Sequence, residues 1–209
     1  MKTILFSPWT KRALFAACLI PALLLVWRGF TGHLSANPVE FIEHKTGDWV
    51  LRFLLITLAV TPLRKIFEQP LFTRFRRMLG LFAFFYVCVH LSMYLTFDQM
   101  FDPRGIFADV MKRPYITVGT AGFLMLIPLA ITSRAAMVRR LGPKRWQRLH
   151  RLVYFCALAG IIHYYWLVKS DVREPFMYFG MWAVLMLFRV RMWTAKDKKA
   201  AARPAPVSA

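Results

Sequence analysis

Residues 78–97 read MLGLFAFFYVCVHLSMYLTF, twenty positions without a formal charge. A helix that crosses a bilayer needs about 20 mostly apolar residues. The stretch is bracketed by charge, with Arg74, Arg76 and Arg77 before it and Asp98 directly after. The same pattern recurs along the chain. Residues 115–133 are equally clean, and residues 9–30 are apolar, with Pro21 inside and Arg28 at the far end. Residues 48–67, 146–168 and 175–193 complete a set of six. In lipid only helices and closed barrels satisfy the backbone, and these runs are too long and too continuously apolar for barrel strands. The expected fold is an all-α membrane protein, a bundle of six transmembrane helices. The uncharged part of the sixth is short, so Arg189 and Arg191 are expected to snorkel to the interface.

Charge sets the orientation. Of the 29 Lys and Arg residues, 21 fall on one side of the alternating connections. They are Lys2, Lys11 and Arg12, then Arg64 to Arg77, then Arg134 to Arg151, then Arg189 to Arg203. The other side holds 8 of the 10 acids: Glu40, Glu43, Asp48, Asp98, Asp102, Asp109, Asp171 and Glu174. Basic connections stay in the cytoplasm. Both termini are therefore expected there, in a bacterial inner membrane. The net charge of +19 is explained by topology and not by nucleic-acid binding.

The composition agrees, at 58% hydrophobic and 19% charged over 209 residues, with a mean hydropathy of +0.45. This length accommodates one bundle, residues 1–193, and no separate soluble domain. Residues 194–209, rich in Ala, Pro and Lys, are expected to form a disordered cytoplasmic tail. The first segment has a signal-like basic start and small residues near Ser35, but its apolar run is long and Arg28 precedes that site. It is expected to remain uncleaved. Cys18, Cys88 and Cys156 fall inside spans and form no C-x-x-C pair, so they read as small buried apolar residues.

Ionisable residues inside a span are costly and mark function. His90 lies deep in the third segment and His163 in the fifth, which also carries His150 near its inner end. His90 is 13 residues beyond Arg77, and His163 is 13 beyond His150. At 1.5 Å per residue both lie about 19 Å along the axis, in the outer half of the membrane. Imidazoles from two helices at one depth are suited to holding a haem iron within a bundle. A pair of buried histidines bonded to carbonyls is the plainer alternative. A proton relay would bring an intramembrane carboxylate, and zinc would need about three protein ligands; neither is present at that depth. No Ser/His/Asp or Cys/His constellation points to hydrolysis.

Several segments, in order and spacing, resemble one family. They are Asn37-Pro38-Val39 and His44-Lys45-Thr46-Gly47, Thr61-Pro62-Leu63-Arg64, and Arg76-Arg77-Met78-Leu79-Gly80-Leu81 with His90. Arg113-Pro114-Tyr115-Ile116-Thr117 follows, and then Leu141-Gly142 through Trp146 and His150 to Ile162-His163-Tyr164. The chain, apart from its tail, resembles the membrane subunits of methionine sulfoxide reductase systems in the ferric-reductase-like transmembrane superfamily. That resemblance implies haem b without covalent attachment and association with FMN. It implies a cytoplasmic flavin reductase or quinone as electron donor, and a periplasmic molybdopterin methionine sulfoxide reductase as acceptor. The wider superfamily carries two histidines on each of two helices. Here the partner of His90 at that spacing is Arg77, and an arginine, always protonated, is no ordinary iron ligand. His150 is left with three open roles: a residual ligand, a propionate or flavin contact, or an interfacial residue.

Together these readings describe an electron-transfer subunit for the repair of oxidised periplasmic proteins, with no substrate-converting site of its own. His90 and His163 are the expected axial ligands. Arg76 and Arg77 are candidates for a flavin phosphate, since Arg suits phosphate. His44 is a candidate for the partner surface, and His33 reads as solvated. Two rivals remain: a membrane reductase of an external acceptor such as ferric iron, and a haem-free transporter or scaffold.

Overall fold

The computed structural model describes residues 7–69, 72–168 and 170–201, with side chains described as far as residue 195. Lys2 and Arg203, counted above on the basic side, lie outside the described residues, as does the tail from residue 202 onward. The described residues are helical throughout, in the order α1 (Pro8–Phe30), α2 (Pro38–Ile66), α3 (Phe72–Met93), α4 (Pro103–Lys112), α5 (Pro114–Ile131), α6 (Ala135–Leu141), α7 (Pro143–His150), α8 (Leu152–Leu167) and α9 (Arg173–Ala201). A π-helical turn, Tyr94–Asp98, extends α3.

Proline opens most of these helices. Pro8, Pro38, Pro103, Pro114 and Pro143 each occupy the first turn, where a missing N–H costs nothing. Side-chain caps sit just ahead of three of them. Ser7 Oγ accepts from Trp9 N, Asn37 Oδ1 from Glu40 N, and Asp102 from the amides of Arg104 and Gly105. Gly142, at φ 77°, makes the turn between α6 and α7 in a region that favours glycine.

The six long helices, α1, α2, α3, α5, α8 and α9, overlap the six apolar segments. Pro8–Phe30, Phe72–Asp98 and Pro114–Ile131 are each long and apolar enough to cross a membrane on their own. The molecule is an all-helical, multi-pass membrane protein. Its outward apolar side chains agree with this, since Leu23 and Trp27 on α1, Leu124 on α5, Phe155 on α8 and Val184 and Leu187 on α9 are all exposed. α2 packs most extensively on α3, and α5 on α8, while α9 lies against α8 and α2. The buried core runs between them through Phe53, Leu54, Leu58, Phe82, Tyr86 and Ala157.

Three expectations are altered. The fifth segment is not one helix: α7 ends at His150 and α8 begins at Leu152. α7 is basic, with Lys144, Arg145 and Arg148, and is unsuited to hydrocarbon, whereas α8 carries no Asp, Glu, Lys or Arg. Arg191 is exposed, but Arg189 is only 4% exposed and turns inward. Its Nη1 donates to Tyr154 Oη (2.9 Å) and its Nη2 to the Leu58 carbonyl (2.6 Å). Finally, α9 continues past Trp193 to Ala201. The residues Ala-Lys-Asp-Lys-Lys-Ala-Ala are mostly good helix formers and extend a helix already nucleated.

Candidate functional site: a paired-histidine cavity

The structure brings together the two histidines picked out by depth. His90, on α3, and His163, on α8, have ring centres 6.1 Å apart and planes at 87°. Each ring is anchored at one nitrogen only. His90 Nδ1 lies 3.0 Å from the carbonyl oxygen of Glu43, and His163 Nδ1 lies 2.7 Å from that of Tyr115. A carbonyl accepts only, so both Nδ1 atoms carry the proton and both Nε2 atoms keep a lone pair. His90 Nδ1 also lies 3.4 Å from Thr46 Oγ1. That hydroxyl is already oriented on the carbonyls of Ile42 and Glu43. Neither Nε2 has a hydrogen-bond partner among the described residues. Carbonyl bonding, the plain role for a buried histidine, therefore accounts for half of each ring and leaves the metal-binding half free.

Both rings line a cavity of about 520 Å³ between α2, α3, α5 and α8, within the range of cofactor pockets. Its walls are mainly apolar, including Val50, Leu51, Val87, Phe123 and Leu167. At one end Ile106 and Val110 of α4 roof it. Asp109 ties that short helix down, accepting from Gln99 Nε2 (2.7 Å) and Tyr94 Oη (3.2 Å) and pairing with Arg113 at 3.3 Å. The rim is acidic, with Glu40, Glu43, Asp48 and Asp98, and His44 stands there exposed. Glu43 lies ahead of the segment expected to enter the membrane. Burial, then the charges of Asp98 and Glu40, push its carboxyl up to about 7. His33 is exposed and lines neither cavity.

The fit to a bis-histidine metal group can be tested on these distances. Two metal–imidazole bonds of about 2 Å, with each ring centre roughly 1 Å further back, place the centres about 6 Å apart. The observed separation of ring centres, 6.1 Å, is of that size. Both histidines carry the second-sphere carbonyl bond that fixes a ligand's tautomer. Among the described residues no cluster of three or more His, Cys, Asp or Glu is arranged for a metal ion.

The inner candidates meet at a different place. Arg76, Arg77 and His150 line a second cavity of about 330 Å³, together with Trp146, Thr57 and Phe84. His150 is held at the opposite ring nitrogen from His90 and His163. Its Nε2 lies 3.0 Å from Thr132 Oγ1, and its ring stacks on Trp146 at 3.9 Å. Trp146 Nε1 in turn donates to the Thr132 carbonyl (2.9 Å). Leu54 and Leu126 line both cavities, so one layer of side chains separates them. Beside that layer Phe84, from the second cavity, stacks on Phe123, from the first, with centres 6.2 Å apart and planes 7° apart.

Sequence reasoning missed the accepting carbonyls of Glu43 and Tyr115 and the two glycines, Gly47 and Gly119, that follow each of them by four residues. The signal was present, since Gly47 and Gly119 stand in the two helices that face the histidines.

Fold and site define a multi-pass helical membrane protein with two neighbouring imidazoles in one cavity. Residues 46–161 match the family model described as the ferric reductase like transmembrane component. The chain belongs to that family and, within it, to the MsrQ family. The "Protein-methionine-sulfoxide reductase heme-binding subunit MsrQ" of Herminiimonas arsenicoxydans is 51% identical over 191 residues, covering 90% of this chain and 88% of the relative. The protein of the same name from Xanthomonas euvesicatoria pv. vesicatoria is 50% identical over 202 residues, covering 94% and 92%. That from Rhodospirillum rubrum is 51% identical over 181 residues, covering 85% and 86%. No solved structure matches the chain.

Proposed function

We propose that this chain is a haem b electron-transfer subunit of a methionine sulfoxide reductase system. It carries electrons across the bacterial inner membrane to a periplasmic molybdopterin methionine sulfoxide reductase, which repairs oxidised periplasmic proteins. Residues 1–193 form a unit of six spans, residues 194–209 form the tail, and both ends are cytoplasmic. One observation carries the reading: His90 and His163 line one cavity with ring centres 6.1 Å apart, each with Nδ1 held by a carbonyl. The names of the relatives, heme-binding subunits of such a system, support the same assignment.

His90 and His163 would hold the iron through Nε2, and haem would supply one-electron exchange when bound. The apolar walls keep bulk water from the pair, and the carbonyls of Glu43 and Tyr115 keep each imidazole in its binding tautomer. On the cytoplasmic side Arg76 and Arg77 offer cations to the phosphate of FMN, with His150 and Trp146 beside them. The donor is a cytoplasmic flavin reductase or the quinone pool. His44 and the acidic rim face the periplasmic partner.

The test begins with the haem-to-protein ratio and absorption spectrum of the purified protein, expected to show low-spin haem b. Haem is then reduced anaerobically, and the periplasmic reductase is added with a protein-bound methionine sulfoxide. Reoxidation should require both additions. Reoxidation by a ferric chelate alone at an equal rate would favour the rival reading, a reductase of external iron. A protein purified without haem from haem-replete cells would favour the transporter or scaffold.

A further inference from the structure

The two histidines are seated alike on the helices beside them. His90 meets α2 at the carbonyl of Glu43, and Gly47 follows four residues later; His163 meets α5 at the carbonyl of Tyr115, and Gly119 follows four residues later. Four residues is one helical turn, and a helical side chain leans back over the turn before it. The residue at that position would therefore cover the carbonyl with its own β-carbon. At Gly119 a β-carbon would lie 2.7 Å from Nδ1 of His163, 3.1 Å from Cε1 and 3.3 Å from Cγ. At Gly47 it would lie 3.5 Å from Cε1 and 3.6 Å from Nδ1 of His90. The first set includes a clash, and the second is ordinary contact.

We propose that a helix carbonyl and the glycine one turn beyond it form a seat for each histidine, and that Gly119 is the positioning residue that holds His163 in its ligating orientation. This inference rests on the haem reading above. A carbonyl oxygen has two lone pairs. One serves the helix, and the other is most open to an imidazole where no side chain leans over it. Glycine leaves it open without breaking the helix, at a propensity cost of about 1 kcal/mol relative to Ala. The ring of His163 fills that opening, and its Nδ1 proton is committed to Tyr115. Orientation and tautomer of the ligand are then set by α5, an element that does not itself supply a ligand. The seats are unequal: the β-carbon space at 119 is taken by the ring, whereas that at 47 is not.

The experiment compares Gly119→Ala, Gly47→Ala, His163→Ala and the double variant Gly119→Ala/His163→Ala in detergent. Haem retention, the low-temperature EPR signal of the oxidised haem, the midpoint potential and the thermal midpoint of the haem-free protein are read for each. Gly119→Ala should weaken haem retention about tenfold or more, as loss of second-sphere support does, with a shifted low-spin signal and potential. The effect of Gly47→Ala should be smaller. In haem-free protein Gly119→Ala should lower the thermal midpoint when His163 is present and not when it is Ala, a coupling that helix packing alone would not produce. A wild-type signal and potential in Gly119→Ala, a larger effect at 47 than at 119, or equal thermal loss in both backgrounds would each overturn the proposal. If Gly119→Ala fails to accumulate, accumulation of the double variant supports the seat and its failure overturns it. If the wild-type chain holds no haem, the functional reading fails, while coupling between positions 119 and 163 still reports on the seat.

Discussion

Arg189 Nη2 donates to the main-chain carbonyl of Leu58 at 2.6 Å, the acceptor that Pro62 leaves without a helical amide. Position 62 would normally supply that N–H, and proline has none. The guanidinium of α9 thus repairs α2 from outside, while its charge is shared with Tyr154 through a hydrogen bond and a ring contact at 4.8 Å. A different device sits beside Pro21, where the buried Tyr86 Oη bridges the helical pair Ala22 N and Cys18 carbonyl, accepting from the first (3.1 Å) and donating to the second (2.9 Å).

Arg189→Met keeps much of the volume and strands the carbonyl, so it should cost about 1–3 kcal/mol. Pro62→Ala restores the missing amide. Chemical denaturation in mixed micelles is expected to show a smaller Arg189→Met penalty in the Pro62→Ala background than in the wild type. Equal penalties would mean that the Leu58 carbonyl is not what Arg189 serves.

Substituting His90 or His163 by Ala should abolish the low-spin bis-histidine spectrum. His150→Ala should leave at least one haem bound, because His150 lines the second cavity and not the one that His90 and His163 share. Pyridine haemochrome titration of the three variants checks this. Loss of all haem in His150→Ala with retention in His163→Ala would reverse the assignment.

Replacing Arg76 and Arg77 together by Gln should slow haem reduction from the cytoplasmic side at unchanged haem content. The side chains line the second cavity and not the histidine pair. Stopped-flow reduction with a flavin reductase and FMN measures the effect. Unaltered kinetics would leave the two arginines with topology as their role.

Reporter fusions at Leu34, Phe101 and Ser170 should report periplasm, and fusions at Gln69, Leu141 and Ala205 cytoplasm. The division follows the 21 of 29 basic residues on one side. A single reversed connection would break the six-span arrangement.

Much of this was legible because the membrane makes uncharged runs informative. The stretch 78–97 identified its helix, and counting 13 residues from Arg77 and from His150 brought His90 and His163 to one depth. What the counting could not supply was direction around each helix. Arg189 stands near the end of an apolar run, where snorkelling is the usual outcome; its inward turn depends on a carbonyl that proline freed 127 residues earlier in the chain. The break at Arg151 was hidden because Trp146 and Leu149 are apolar enough to extend the fifth segment, although the basic residues among them belong to a separate short helix. The glycine seats were invisible to hydropathy, since they consist of a missing side chain.

The bundle is two leaves, α2 with α3 and α5 with α8, packed more extensively within each leaf than across the seam between them. Each leaf brings one histidine and the carbonyl that holds it. On the haem reading, the iron is the rivet between two finished leaves. A newly inserted chain would then present a shaped receptacle before any cofactor arrives, and loading would be a late step of assembly. Losing the rivet would loosen the seam and leave both leaves standing.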